Sequence, residues 1–185
     1  MGVKLVSSSG GSVEIVAPVT ASTYTQTLPA NNGTILTTAT AGIPISGPAF
    51  SAYASAGTSM SNNTYTKIQF QTELYDTNSN FDSTTNYRFQ PTIAGYYVVC
   101  GGFAIGSANV STDVVIYKNG SGFVRLAFTS GTGFGSGSYG SAQLYLNGSS
   151  DYIEIYGKQL SGGTVTSSTG TLDTAFSAAM VRSAT

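Results

Sequence analysis

From residue 49 onward the chain alternates apolar and polar positions with a period of two, the spacing of half-buried strands. In Lys67 to Leu74, Ile68, Phe70, Thr72 and Leu74 share one face, while Lys67, Gln69, Gln71 and Glu73 share the other. That pattern predicts a single strand. Tyr87 and Phe89 oppose Arg88 and Gln90. Tyr96 to Phe103 is continuously apolar, which predicts a central strand covered on both sides, with the lone Cys100 as a small buried thiol. Thr112, Val114 and Ile116 alternate with Asp113, Val115 and Tyr117, ahead of a turn at Asn119-Gly120. Phe123 to Phe128 forms the next run. Leu144 and Leu146, then Ile153 and Ile155, line one face of an expected hairpin turning at residues 147–150. Leu172 to Val181 closes the series. No stretch carries the 3.6-residue period of a helix, so the pattern predicts an all-β sandwich. Its expected core is Phe70, Leu74, Phe89, Tyr97, Ile116, Leu144, Ile155 and Phe176.

The first 46 residues read differently. Their alternating bursts (Val13 and Ile15; Thr25 and Thr27) are short and are broken by Pro18, Pro29 and Asn32-Gly33. Such runs are too polar to bury a face of their own. They become stable strands where several chains share one core, or else form a disordered tail. Two regions follow: an extended, β-rich arm over 1–46 and a head domain over 47–185.

Composition narrows the function. Charged residues make up 8% of the chain against about 25% in ordinary domains, while hydrophobics stand at 41%. Hydroxyls, amides and tyrosines therefore solvate the surface, as suits an assembled fibre or shell. Net charge is −1 and the seven Lys and Arg are scattered, so no basic stripe exists to neutralise phosphates and nucleic-acid binding is not expected. No run approaches the length of a membrane span, so no membrane insertion is expected, and Met1 to Val6 lacks the apolar core of a signal peptide. With no histidine, Ser-His-Asp and Cys-His catalysis and His-based metal sites are removed. The carboxylates show no paired spacing, and several fall beside turns. No enzymatic activity and no cofactor are expected.

Several motifs in order carry a resemblance. They are Ala49-Phe50-Ser51-Ala52, Phe70 to Thr77, Phe81-Asp82 with Thr85, Phe89 and Pro91, Gly95-Tyr96-Tyr97, and Ala175 to Ala179. Together they resemble the jelly-roll head shared by complement's first component and the tumour necrosis factor superfamily. The resemblance implies a jelly roll of two Greek keys in which three subunits pack edge to face around a three-fold axis. Residues 11–38, with Gly11 to Pro18 leading to Thr27-Leu28-Pro29 and Gly33 to Thr38, resemble a recurrent segment of bacteriophage tail-fibre and virion proteins. Glu14 departs from the uncharged residue usual there.

Three groups are candidate sites. Tyr is abundant, with twelve copies, and Tyr117, Tyr145, Tyr152 and Tyr156 sit opposite aliphatic positions on their strands. A second semi-apolar face needs cover, and the resemblance implies a trimer interface; the other reading is tyrosines reaching into solvent. The glycine-rich stretch Ser130 to Gly140 carries Phe134 and Tyr139, which suits a recognition loop, or a plain connection. Asp76, Asn78, Asn80 and Asp82 alternate as oxygen ligands for Ca²⁺ would, but the EF-hand glycine and distal glutamate are missing, and Asx residues also populate turns.

These readings give a homotrimeric virion protein in which residues 1–46 anchor to other virion proteins. Its jelly-roll head attaches to the host surface through a glycan or outer-membrane component, as a tail fibre does. Capsid decoration without host binding is the alternative, and a secreted complement-like or cytokine-like ligand the third.

Overall fold

The head is a two-layer antiparallel sandwich. This computed structural model describes residues 3–6, 12–15, 47–131 and 135–184, and no helix occurs among them. The chain divides into two units, Met1–Pro44 and Ile45–Thr185. In the first, β1 (Val3–Val6) pairs with β2 (Ser12–Ile15), so the burst at Val13 and Ile15 is a strand. Thr25 and Thr27 lie outside the described residues.

The second unit continues with β3 (Ala49–Tyr53), β4 (Ser59–Met60), β5 (Thr66–Lys67), β6 (Thr72–Asp76), β7 (Phe81–Asp82) and β8 (Arg88–Phe89). Then come β9 (Gly95–Ile105), β10 (Thr112–Lys118), β11 (Ser121–Thr129), β12 (Ser136–Leu146), β13 (Ile153–Gln159), β14 (Val165–Thr166) and β15 (Thr174–Ser183). A five-stranded sheet runs β12-β9-β15-β3-β6. A six-stranded sheet runs β11-β10-β13-β8-β7, with β5 also paired to β13. This is a jelly roll: the chain crosses repeatedly between the sheets, from β9 to β10, from β11 to β12 and from β12 to β13, and β15 returns beside β3.

The inner faces meet in one core. Phe50 stacks on Phe81 at 4.4 Å and on Phe89 at 4.7 Å, and meets the edge of Phe176 at 4.8 Å. Val99 and Leu146 reach in from one sheet, Val114, Ile116, Ile153 and Ile155 from the other. Gly101 faces inward, and a Cβ there would stand 2.7 Å from Ile155 Cδ1, so the core leaves room there only for glycine. Asn119 (φ 53°) and Gly120 (φ 78°) form the expected turn, with positive φ at both central positions as a type I′ hairpin requires.

Seven of the eight expected core residues are buried; Leu74 is 59% exposed. The expected strand over 67–74 is divided. Lys67 pairs with Tyr156 in one sheet, whereas Thr72 to Asp76 pair with β3 in the other. Residues 68–71 cross between the layers and carry Ile68 and Phe70 into the core. In β6, Tyr75 opposes Ser51 and Glu73 opposes Ala52, which leaves Leu74 as the extra residue of a bulge. A bulge breaks the two-residue alternation and turns Leu74 out.

The expected hairpin over 144–155 is also a crossing. β12 pairs with β9, while β13 pairs with β10 and β8. Leu144, Leu146, Ile153 and Ile155 thus join the core from opposite sheets. The expectation that β9 is covered on both sides fails in the protomer. Its burial alternates, and Tyr96, Val98 and Cys100 are exposed because no described residue of the second unit lies over that side.

Candidate functional site

The outward side of the five-stranded sheet is built from cross-strand rows, since directly opposed residues project to the same side. One row is Gln143, Val98, Ala179 and Ala49; the next is Ser141, Cys100, Ser177 and Ser51; a third is Tyr139, Gly102, Ala175 and Tyr53. Tyr145, Tyr96 and Arg182 close one end, where the two tyrosine rings meet at 5.6 Å, edge to face. Beside them Gln143, Tyr145 and Arg182 line a depression of about 610 Å³. Arg182 is the one charge in these rows. Side chains this small and neutral cost little to desolvate and let another backbone approach closely.

Tyr139 lies across Gly102. A Cβ at 102 would stand 2.3 Å from Tyr139 Cδ1, so only glycine leaves room for the ring. The Tyr139 hydroxyl then donates to the Asp173 carbonyl at 2.6 Å, and burial pushes its pKa up, with a smaller push from the Asp173 charge. Tyr139 is therefore a residue of β12 on the sheet face. The connection expected over 130–140 is shorter, because Ser136 to Gly140 are already strand. Phe134 lies outside the described residues.

Charge is concentrated on the other sheet. Lys67 pairs with Glu154, Lys118 with Asp151 at 2.8 Å, and Arg125 with Asp113 through two bonds of 3.0 Å. Lys158 approaches Asp113 at 3.8 Å and the Tyr65 hydroxyl donates to it at 2.7 Å. Tyr117 and Tyr156 belong to this sheet and stack at 3.8 Å, while Tyr152 underlies Arg88. Of the four tyrosines expected at an interface, the structure places Tyr145 on the neutral face and the other three on or beside the charged sheet.

Asp76, Asn78, Asn80 and Asp82 serve turns. Asp76 accepts from the Asn78 and Phe81 N–H groups, and Asn78 Oδ1 from the Thr77 hydroxyl. Asn80 Oδ1 accepts from Thr92 N–H. Asp82 accepts from the N–H groups of Thr84, Thr85 and Asn86 and from the Asn86 amide. The Thr85 N–H does most to hold the Asp82 carboxyl well below the usual carboxylate range; burial opposes it, and the Thr84 and Asn86 donors add to it. Among the described residues no group of three or more His, Cys, Asp or Glu is placed to hold a metal ion.

Tyr96, Val98, Cys100 and Gly102 were not among the expected site residues. The signal for them lies in charge: β3, β9 and β12 contain no Asp, Glu, Lys or Arg.

No protein-family model matches the sequence, and comparison with curated protein sequences finds no match. Solved structures do match. Murine APRIL, in its crystal structure at pH 5.0, superposes with a TM-score of 0.56 at 11% identity, covering 74% of this chain and 100% of that one. Eiger TNF from S. frugiperda gives 0.51 at 13% identity, covering 76% and 96%. The globular domain of zebrafish complement 1qA protein is 18% identical over 74% of this chain and 98% of its own, with a TM-score of 0.49. The first two define the class: the head is a jelly roll of the tumour-necrosis-factor type.

Proposed function

We propose that this chain is a non-enzymatic virion protein of a bacteriophage. In this reading three copies associate through the outward side of the five-stranded sheet, and the assembly is displayed for attachment to the host surface. The observation that carries the trimer is that face: rows of small, neutral side chains with Tyr96 at 44%, Val98 at 36% and Tyr145 at 42% exposure, on strands β3, β9 and β12 that bear no charge. Exposed apolar side chains on strands without charge favour a protein partner over water. The motifs from Ala49 to Ala179 that resemble the complement and tumour-necrosis-factor jelly roll imply a three-fold axis. The virion role is supported by the likeness of residues 11–38 to phage fibre segments and by the 8% charged content. On this reading residues 1–46 anchor the chain to other virion proteins. Tyr139 is then covered in the assembly, and Phe134 is left to meet a host glycan or outer-membrane component.

Sedimentation tests the first half. The full chain should run at three times the protomer mass, with Cys100 slow to react with a thiol reagent. Val98→Asp, which drives a carboxylate into the face, should run as a monomer whose Cys100 reacts fast. A wild-type monomer defeats the proposal. Labelled antibody on virions tests the second half: signal at the tail supports attachment, and signal spread over the capsid supports decoration. A chain lacking residues 1–46 should remain a folded trimer yet stay off the particle. The decoration reading draws on Tyr139, whose hydroxyl is already held by Asp173 in its own chain. Under it, Phe134→Ser leaves adsorption unchanged.

A further inference from the structure

At the β7–β8 end of the six-stranded sheet lies a cavity of about 310 Å³, lined by Ser79, Asp82, Arg88, Gln90, Thr92 and Ser149 among others. We propose that it binds a carboxylate-bearing sugar, with the Arg88 guanidinium taking the carboxylate.

Arg88 carries the argument. It is half-buried, and its guanidinium carbon sits 4.4 Å from the centroid of the Tyr152 ring. Stacking occupies one face of the planar group and leaves the N–H edge for an acceptor. The cross-strand neighbour of Arg88 is Asp82, where an ion pair would be ordinary. Asp82 instead turns its two oxygens to the N–H groups of residues 84–86 and to the Asn86 amide. The other cations on this sheet, Lys67, Lys118, Arg125 and Lys158, each have a carboxylate partner. Among the described residues, Arg88 has none.

The rest of the cavity is held in place beforehand. Asn147 Oδ1 accepts from the N–H groups of Ser149, Ser150 and Asp151, which ties the 147–151 turn into one shape. Gln90 Nε2 donates to the Ser149 carbonyl at 2.9 Å, pinning that turn to the strand beside Arg88. Tyr87, just before Arg88, has φ 50°, and Ser79 on the rim has φ 52°. Left-handed backbone at non-glycine residues is uncommon, and it persists where surrounding contacts enforce it. A preformed rim lowers the ordering cost of binding.

The chemistry selects the ligand. Guanidinium donors match a planar carboxylate in a two-pronged bond. Ser79, Gln90, Thr92 and Ser149 line the same cavity, and residues of these types suit sugar hydroxyls. The volume is at the small end for ligand sites, the scale of a single sugar residue. The ionised Asp82 on the wall disfavours a dianion such as phosphate. The cavity is on the sheet opposite the neutral face, so the proposal goes beyond the trimer and virion readings and stands without either.

Calorimetric titration of the full chain tests it, with sodium glucuronate as the probe. The methyl ester of glucuronic acid keeps the hydroxyls without the charge, and inorganic phosphate keeps charge without the sugar. Glucuronate should bind, and the ester and phosphate should each bind roughly tenfold more weakly or less. Arg88→Gln should lose glucuronate binding at unchanged Tm; should that variant melt early, the ester comparison on the wild-type chain decides. Absence of glucuronate binding, equal binding of the ester or of phosphate, or full retention in Arg88→Gln at unchanged Tm would each overturn the assignment.

Discussion

Phe70 and Leu74 look equivalent in an alternating strand, yet the structure predicts opposite outcomes when each is cut to alanine. Phe70 is fully buried, with its ring 5.4 Å from that of Phe176, in the segment that crosses between the sheets. Removing the ring forfeits its transfer free energy and leaves a cavity the surrounding aromatics only partly fill. That costs about 3–5 kcal/mol. In a domain of this size each kcal/mol lowers Tm by about 2–4 °C, so Phe70→Ala should melt roughly 6–20 °C below the parent. Leu74 is the outward residue of a bulge at 59% exposure, and Leu74→Ala should stay within about 0.5 kcal/mol. Thermal melts followed by circular dichroism measure both, at one fixed protomer concentration because linked association makes Tm concentration-dependent. Equal shifts for the two variants would refute the crossing between sheets and the bulge that follows it.

Acid should weaken the head through Asp82, whose carboxyl is held below its usual value of 3.8 chiefly by the Thr85 N–H. The unfolded chain then takes up the proton first, so this contribution is complete above about pH 4 and is lost as pH falls through the folded value. Asp151 acts in the same direction: burial pushes its pKa up, but the Lys118 ammonium, the Asn119 amide and the Asn147 N–H outweigh it. Urea midpoints should therefore fall between about pH 5 and pH 2, and Asp82→Asn should flatten the profile; an unchanged slope would contradict the role of those donors. Gly102→Ala should cost roughly 1–3 kcal/mol, because its Cβ would stand 2.4 Å from the Ser138 carbonyl oxygen as well as against the Tyr139 ring. A melt matching the parent would mean the ring does not lie across β9.

Apolar spacing identified which residues face a core, and Phe89, Ile116, Ile155 and Phe176 are buried as it implied. Asn119-Gly120 was legible because so few residue types accept positive φ at two successive positions. Spacing says nothing about which sheet a strand joins. Leu144 and Ile153 are apolar on either arrangement, so a hairpin and a crossing between layers read alike. Register shifts are silent too: nothing in Glu73-Leu74-Tyr75 shows which residue is the extra one. In Tyr96 to Phe103 both sides are apolar, so the alternation that exposes Val98 and Cys100 cannot be seen. The absence of charge on three strands was visible throughout. It pointed to a face only once pairing had set those strands side by side.

The segregation of charge between the two sheets has a consequence for how the protein responds to ionic strength. Ions at physiological concentration screen exposed charges over about 8 Å. The rows around Val98, Cys100 and Gly102 hold no ions and Arg182 at their end is the one charge beside them, so association there should respond little to added salt and be strengthened by sulfate, which favours apolar burial. The pairing of Arg125 with Asp113, on the opposite layer with Arg125 largely in solvent, should weaken under the same treatment. One change of buffer therefore acts on the two layers of a single sandwich in opposite senses.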